Sequence, residues 1–331
     1  MKKIFLISLV TSLVLLTVAC GANNTSETKK PDGLTIYTTV YPLTYFTERI
    51  GGKLVNVKSV YSAGANEHTF EPTQKDMMAL ADADLFFYIG LGLEGFVDNA
   101  KKTLGNEKVT MVATADAVSD DDLAISEGHN EHSDEEGTKD EHAHEEESHD
   151  GHDHGDVDPH VWISPQISMK LASSIKNSLI DKDPENEAIY LENYNALVKE
   201  LEGLDAEFQE MADASKNKTF FVSHAAFGYL AGTYGLEQVA VSGLNSQDEP
   251  SQKELSELIK FAKTKHIHTI LFEQNVSSNL TKIIQNEIGA DALTIHNLGV
   301  LTQKDIDHEE TYFTLMEQNL ETLRKALHSS K

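Results

Sequence analysis

DPENEAIYLENYNALVKELEGLDAEFQEMADA, residues 183–214, is the stretch that decides the architecture. Asp183 suits a helix N-cap, Pro184 the first helical position, and Glu185 puts an acid near the positive end of the helix dipole. Tyr190, Tyr194, Leu197, Leu201, Leu204, Phe208 and Met211 then recur at alternating steps of four and three, a continuous apolar stripe on one helix face. The spacing predicts a helix running to about Ala214, about 45 Å long at the α-helical rise. Lys216 and Lys218 fall near its negative end. A stripe of this period also suits a coiled-coil dimer, but it lasts only about three heptads and lies between two blocks of strand–helix alternation. One helix laid across two domains of a monomer is the better reading, and such a connector limits hinge motion.

The flanking blocks have the same character. Before the helix, LTIYTTV (34–40), VNVKSVY (55–61), LFFYIG (85–90) and VTMVA (109–113) are short β-branched or aromatic runs. Helix-like stretches, Leu43–Ile50 and Gln74–Ala83, lie between them. After it, FFVS (220–223), QVAVSG (238–243), TILFEQ (269–274) and ALTIH (292–296) read as strands, with helices expected at Ser251–Lys263, Asn279–Glu287 and Glu309–Leu327. Alternation of this kind is the signature of a mostly parallel sheet with flanking helices. The expected class is therefore α/β: an N-terminal α/β domain at 34–182, a linking helix at 183–215 and a C-terminal α/β domain at 216–331.

The first residues suggest export. Lys2 and Lys3 precede an apolar stretch from Ile4 to Val18, which ends at Ala19-Cys20. This reads as a signal peptide over 1–19, with Cys20 as the lipidated residue and 20–33 as a flexible tether. Cys20 is the only cysteine, so no disulfide can form within one chain. The implied location is the outer face of the cell membrane, with membrane contact only through the lipid. A formal charge of −27 argues against nucleic-acid and anionic-lipid partners and suits attraction of cations.

The most conspicuous segment is SEGHNEHSDEEGTKDEHAHEEESHDGHDHGD (126–156). It holds His129, His132, His142, His144, His149, His152 and His154, seven of the chain's fifteen histidines, among many carboxylates and no large apolar residue. Such a composition cannot build a core, so an acidic, disordered loop is expected over 120–157. Imidazole and carboxylate are ligands for borderline divalent metals, zinc above all. The loop is expected to offer several weak, interchangeable metal sites.

Eight histidines lie elsewhere. His224 directly follows the strand in FFVSHAAFGYLA, His68 lies in the loop GANEHTFEPTQKD, and His160 stands in DVDPHVWISP where the acidic run re-enters the fold. Ligand sites of open α/β sheets form at the carboxyl ends of strands, which singles out these contexts. His266 and His268 in KTKHIHTILF read as surface residues at the entrance to a strand, and His308 and His328 as solvated. His296 lies near the loop HNLGVLTQKD, and Met77-Met78 reads as core packing.

The motifs EHTFEPT, DPHVWISP and FFVSHAAFGYLA, with the long helix and the acidic histidine-rich insertion, resemble the metal-binding lipoproteins of bacterial ABC transporters. The likeness is to the zinc-uptake branch of the cluster A-I solute-binding proteins, over about Leu34 to Leu327. The resemblance implies a high-affinity receptor that delivers Zn²⁺ to an ABC permease, with His68, His160 and His224 binding the ion in the cleft between domains. Manganese members carry a carboxylate where His224 stands, so histidine there favours zinc. Zinc relatives often supply a glutamate in a setting like HNLExLT, where this chain has Gly299. The fourth ligand is then Glu67, a water or a histidine of the loop, the last being disfavoured by the entropy of ordering it. An open coordination position also suits a zinc hydrolase, but the folded parts hold no HExxH motif, and no enzyme activity is expected. A manganese or other divalent-metal receptor and a surface adhesin of the same family remain the alternatives.

Overall fold

The structure is a computed structural model, which describes residues 33–129, 157–275 and 278–328. The histidines from His132 to His154 and Cys20, the expected lipidation site, lie outside the described residues, as does the expected signal peptide. No described helix is long and apolar enough to cross a membrane.

The strand β1 (Leu34–Thr38) is followed by α1 (Tyr41–Gly51), β2 (Val55–Ser59), α2 (Gln74–Ala81), β3 (Leu85–Tyr88), α3 (Val97–Leu104) and β4 (Thr110–Ala113). These strands form one parallel sheet in the order β2-β1-β3-β4, with Ile36 opposite Val57 on one side and Leu85 on the other. The second lobe repeats the plan. Its elements are β5 (Thr219–His224), α7 (Gly228–Thr233), β6 (Glu237–Ser242), α8 (Gln252–Thr264), β7 (Thr269–Glu273), α9 (Asn279–Ile288), β8 (Asp291–Ile295), α10 (Gln303–Asp307) and α11 (Tyr312–His328). The sheet order is β6-β5-β7-β8, again all parallel. Each sheet therefore reverses its winding beside its first strand, at β1/β3 and at β5/β7, and a crevice opens there at the carboxyl ends.

Between the lobes run α4 (Asp120–Leu123), α5 (Pro165–Lys182) and the long α6 (Glu187–Ala214). The α6 stripe is buried at Tyr190, Leu197, Leu201, Leu204, Phe208 and Met211, and half-buried at Tyr194. It packs on α5, α1 and α11 of its own chain, so the apolar face needs no second copy to cover it. Two details differ from expectation. Pro184–Asn186 forms a 3₁₀ turn, and the Asp183 carboxylate accepts hydrogen bonds from the Asn186 amide and the Tyr190 hydroxyl, both at 2.7 Å, instead of capping the backbone. The last helix begins at Tyr312 and not at Glu309, whose φ of 54° is incompatible with a continuing helix.

The acidic segment also starts later than its composition suggests. Residues 120–129, expected to be an open loop, form α4 and a 3₁₀ turn over Ala124–His129. Ser119 caps α4, Asp122 pairs with Lys170, and the turn lies against α7 of the second lobe. Glycine at 232 is required there, because a Cβ would lie 2.3 Å from the Ile125 carbonyl oxygen. Ser126 and Asp158, on either side of the histidine-rich run, both flank Gly228 at the start of α7.

Helix α5 was not evident from the sequence. Its inward positions Ile167, Leu171, Ile175 and Leu179 are fully buried, but serines at 168, 173, 174 and 178 dilute the apolar pattern. Replacing Gly232 with valine is expected to destabilise the protein by about 1–3 kcal/mol, as overpacking against a fixed backbone does. Urea unfolding is the measurement; an unchanged midpoint would show that the contact between the turn and α7 is loose.

Candidate metal centre

His224 ends β5, a strand buried along its whole length between β6 and β7. Glu273 ends the neighbouring β7, so the pair stands at the winding reversal of the second sheet. His224 Nδ1 lies 3.1 Å from Glu273 Oε2 and its Nε2 lies 2.9 Å from the Leu244 carbonyl oxygen. Both partners are acceptors, so the ring is satisfied only when both nitrogens carry protons. Burial alone would lower this imidazole's pKa, but the Glu273 carboxylate, aided by the Leu244 carbonyl, holds it up at about 9.

His160 is placed by the residues around it. Val161, Trp162 and Ile163 form a 3₁₀ turn with no solvent exposure, and the Trp162 indole donates to the Asn297 carbonyl at 2.7 Å. Asp158 Oδ1 accepts from the His160 backbone N–H at 2.9 Å and from Nδ1 at 2.7 Å. With Nδ1 as donor, the Nε2 lone pair faces the pocket. The Asp158 carbonyl in turn accepts from the Tyr229 hydroxyl of the second lobe at 2.7 Å.

His68 comes from the loop after β2. Asn66 shapes that loop: its side-chain oxygen accepts from the His68 N–H at 2.9 Å, and its amide donates to Ser246 across the cleft at 3.1 Å. Burial, reinforced by His160 and His224, depresses the His68 pKa to about 3, so this ring is neutral and free to donate a lone pair.

The three rings converge. His68 Nε2 lies 3.2 Å from His160 Nε2, and the ligand atoms of His68, His160 and His224 all lie within 4.8 Å of one another. Zinc–nitrogen bonds of 2.0–2.1 Å at a tetrahedral angle separate the nitrogens by about 3.4 Å, so the cluster needs only small adjustments to close on an ion. It is the only such group among the described residues.

Glu67, beside His68, is 3 % exposed, and burial raises its carboxyl pKa. Asn297 Nδ2 donates to Glu67 Oε1 at 3.0 Å and to Glu273 Oε2 at 2.8 Å, so one amide joins the two acids. Sequence reasoning did not single out Asp158, Glu273 or Asn297. The first two were legible in principle, as the acid two positions before His160 and the acid ending a core strand. Asn297 had no signal of its own.

Other described histidines, His266, His268, His296, His308 and His328, lie outside the cluster. His266, His308 and His328 are exposed and His268 is half-buried. His296 is buried, with Nε2 3.1 Å from Asp305 and Nδ1 accepting from the Leu298 N–H, so it braces the loop that carries Asn297 and Gly299. Met77 packs on the core as expected, but Met78 is 71 % exposed because successive helix positions point about 100° apart.

A proton count follows from the His224 contacts. The ring holds its extra proton below about pH 9, and a metal ion must displace it. Apparent affinity for a divalent cation should therefore rise with pH and level off near that value. Calorimetry near neutral pH in buffers of different ionisation enthalpy should show about one proton released per ion. No proton release would mean that His224 is neutral before binding.

The family model for the zinc-uptake complex component A, periplasmic (ZnuA) matches residues 36–326. The zinc-binding lipoprotein AdcA of Streptococcus pneumoniae is 37 % identical over 327 residues, covering 98 % of this chain and 61 % of AdcA. The high-affinity zinc uptake system protein ZnuA of Bacillus subtilis is 35 % identical over 315 residues, covering 95 % of this chain and 94 % of that protein. Among solved structures, the Zn(II)-bound ZnuA-like domain of Streptococcus pneumoniae AdcA aligns with a TM-score of 0.69 at 32 % identity, covering 89 % of this chain and 99 % of that one. The chain thus spans about three-fifths of AdcA but nearly all of the Bacillus protein. With the match running from the first strand into the last helix, the chain belongs to the ZnuA family of zinc-uptake component A proteins.

Proposed function

We propose that the chain is an extracytoplasmic receptor that binds Zn²⁺ with high affinity and delivers it to an ABC permease. The observation that carries this reading is the set of three converging imidazoles at the junction of the lobes. Two of them are backed by buried carboxylates, Asp158 and Glu273, an arrangement that fixes ring orientation and strengthens a metal ligand. Three nitrogen donors suit zinc better than manganese, which prefers oxygen. His68, His160 and His224 are the proposed ligands, with Glu67 or a water completing the shell. The cargo role needs no catalysis, consistent with a family of solute-binding receptors.

Export and lipid attachment at Cys20 belong to the same proposal. They rest on the sequence Ala19-Cys20 after an apolar run. We also propose an auxiliary role for the histidine-rich run, whose imidazoles and carboxylates would raise the local zinc concentration near the tight site.

Replacing His68, His160 or His224 singly with alanine should abolish the one tight zinc site. Trp162, the chain's only tryptophan, has its ring 5.4 Å from that of His160, so its fluorescence should report the titration. Tight zinc binding that survives His224→Ala would overturn the assignment. Deleting residues 127–156 should remove the weaker zinc equivalents seen by calorimetry and leave the tight one. An unchanged stoichiometry would leave the run without a metal role.

A further inference from the structure

The nearest neighbours of a side chain placed at residue 299 are three atoms of one carboxylate. A Cβ built on Gly299 would lie 2.6 Å from Glu67 Oε1, 2.8 Å from Glu67 Cδ and 3.3 Å from Glu67 Oε2. Gly299 does not have positive φ, so its backbone accepts any residue. Conformational freedom is therefore not what glycine provides here. It provides volume, and the Glu67 carboxylate fills that volume.

The two positions belong to different lobes. Glu67 lies in the loop after β2, and Gly299 in the loop after β8. Asn297, two residues before Gly299, holds Glu67 in place and also holds Glu273, which in turn holds His224. Glu67 and His224 are thus joined through Asn297 and Glu273, and the acid of the first lobe is seated on the second.

We propose that Gly299 is the positioning residue of this metal centre: lacking a side chain, it admits the Glu67 carboxylate to a place beside the three histidines. Residue 299 and the Glu67 carboxylate compete for one space, so the centre draws its acidic group from the first lobe because the second supplies none there. The proposal rests on the reading of the three histidines as zinc ligands.

The consequence is a dependence between the two positions. Gly299→Ala should push the Glu67 carboxylate out and should do nothing once that carboxylate is gone. The test measures Zn²⁺ affinity by chelator competition for the wild type, Gly299→Ala, Glu67→Ala and the double variant, with visible spectra of the Co²⁺-loaded proteins as a report on the ligand set. The expected result is that Gly299→Ala weakens zinc about tenfold or more, the range seen for residues that support a metal ligand. Its Co²⁺ spectrum should match that of Glu67→Ala, and the double variant should bind like Glu67→Ala alone. Wild-type affinity in Gly299→Ala would overturn the proposal, as would losses that multiply in the double variant. Thermal unfolding of the metal-free variants identifies a general loss of fold, and affinity is compared only among variants that keep the wild-type midpoint. If His224→Ala retained tight zinc, the underlying ligand reading would fail instead, whatever the Gly299 variants did.

Discussion

A metal-binding imidazole has to be buried, correctly turned and able to present a lone pair, and burial works against all polar groups at once. The lobe junction meets this constraint by giving two rings a fixed acceptor on Nδ1. Asp158 does so for His160 and Glu273 for His224, each inside the protein. His68 has no such acid among the described residues and is the most exposed of the three, with its neutral state maintained by desolvation and by the two neighbouring rings. The difference gives the rings different tasks. His224 ends a buried strand and His160 caps a buried 3₁₀ turn, while His68 sits on a loop held by Asn66 and by the packing of Phe70 on Tyr61.

The fixed positions of the lobes follow from the same residues. Trp162 reaches the carbonyl of Asn297, Tyr229 reaches the carbonyl of Asp158, and Asn297 reaches Glu67. Each bond crosses between elements that carry site residues, so the contacts that align the lobes also align the three imidazoles. Farther from the site, α1 and α11 meet through Phe46 and Tyr312, whose rings are 4.9 Å apart, and α6 is tied to α1 by the Arg49–Glu200 ion pair at 2.5 Å. With α6 packed along this cluster, large rigid-body opening would have to break aromatic contacts as well as polar ones.

Much of this was readable before any coordinates. Strands and the long helix announce themselves through strong periodicity, and all eight strands fall within a residue or two of their sequence-based positions. The three histidines could be chosen because each stands beside a structural marker: a strand end for His224, an apolar triplet for His160, a polar loop after a strand for His68. What the sequence concealed depends on three-dimensional adjacency. Asn297 bridges residues 230 and 24 positions away, and no local pattern encodes such a bridge. Helix α5 was obscured by serines, and the one that turns fully inward, Ser168, is satisfied there by the Trp162 carbonyl and the Tyr312 hydroxyl. The segment 120–129 looked too acidic to be ordered, and its order comes from a cap, an ion pair and a glycine-lined seat on α7.

The two winding reversals of the repeated sheet order are equipped differently: β5 ends in a histidine of the candidate cluster, and β1 does not. Both bring a buried carboxylate to the carboxyl ends of two central strands. At β1/β3 that acid is Glu94, which accepts from the Thr39 hydroxyl at 2.7 Å and from the Ile89 and Gly90 N–H groups at 2.8 and 3.1 Å. Its oxygens are consumed by backbone and hydroxyl donors that fix the turn after β3, where Gly90, Leu91 and Gly92 all have positive φ. At β5/β7 the acid is Glu273, and its partners include an imidazole whose other nitrogen can be surrendered to an ion. A saturated carboxylate builds structure, whereas a carboxylate spent on a histidine builds a ligand. The two lobes share a plan, and the residue that meets the acid at the strand end decides which reversal contributes an imidazole to the cluster between them.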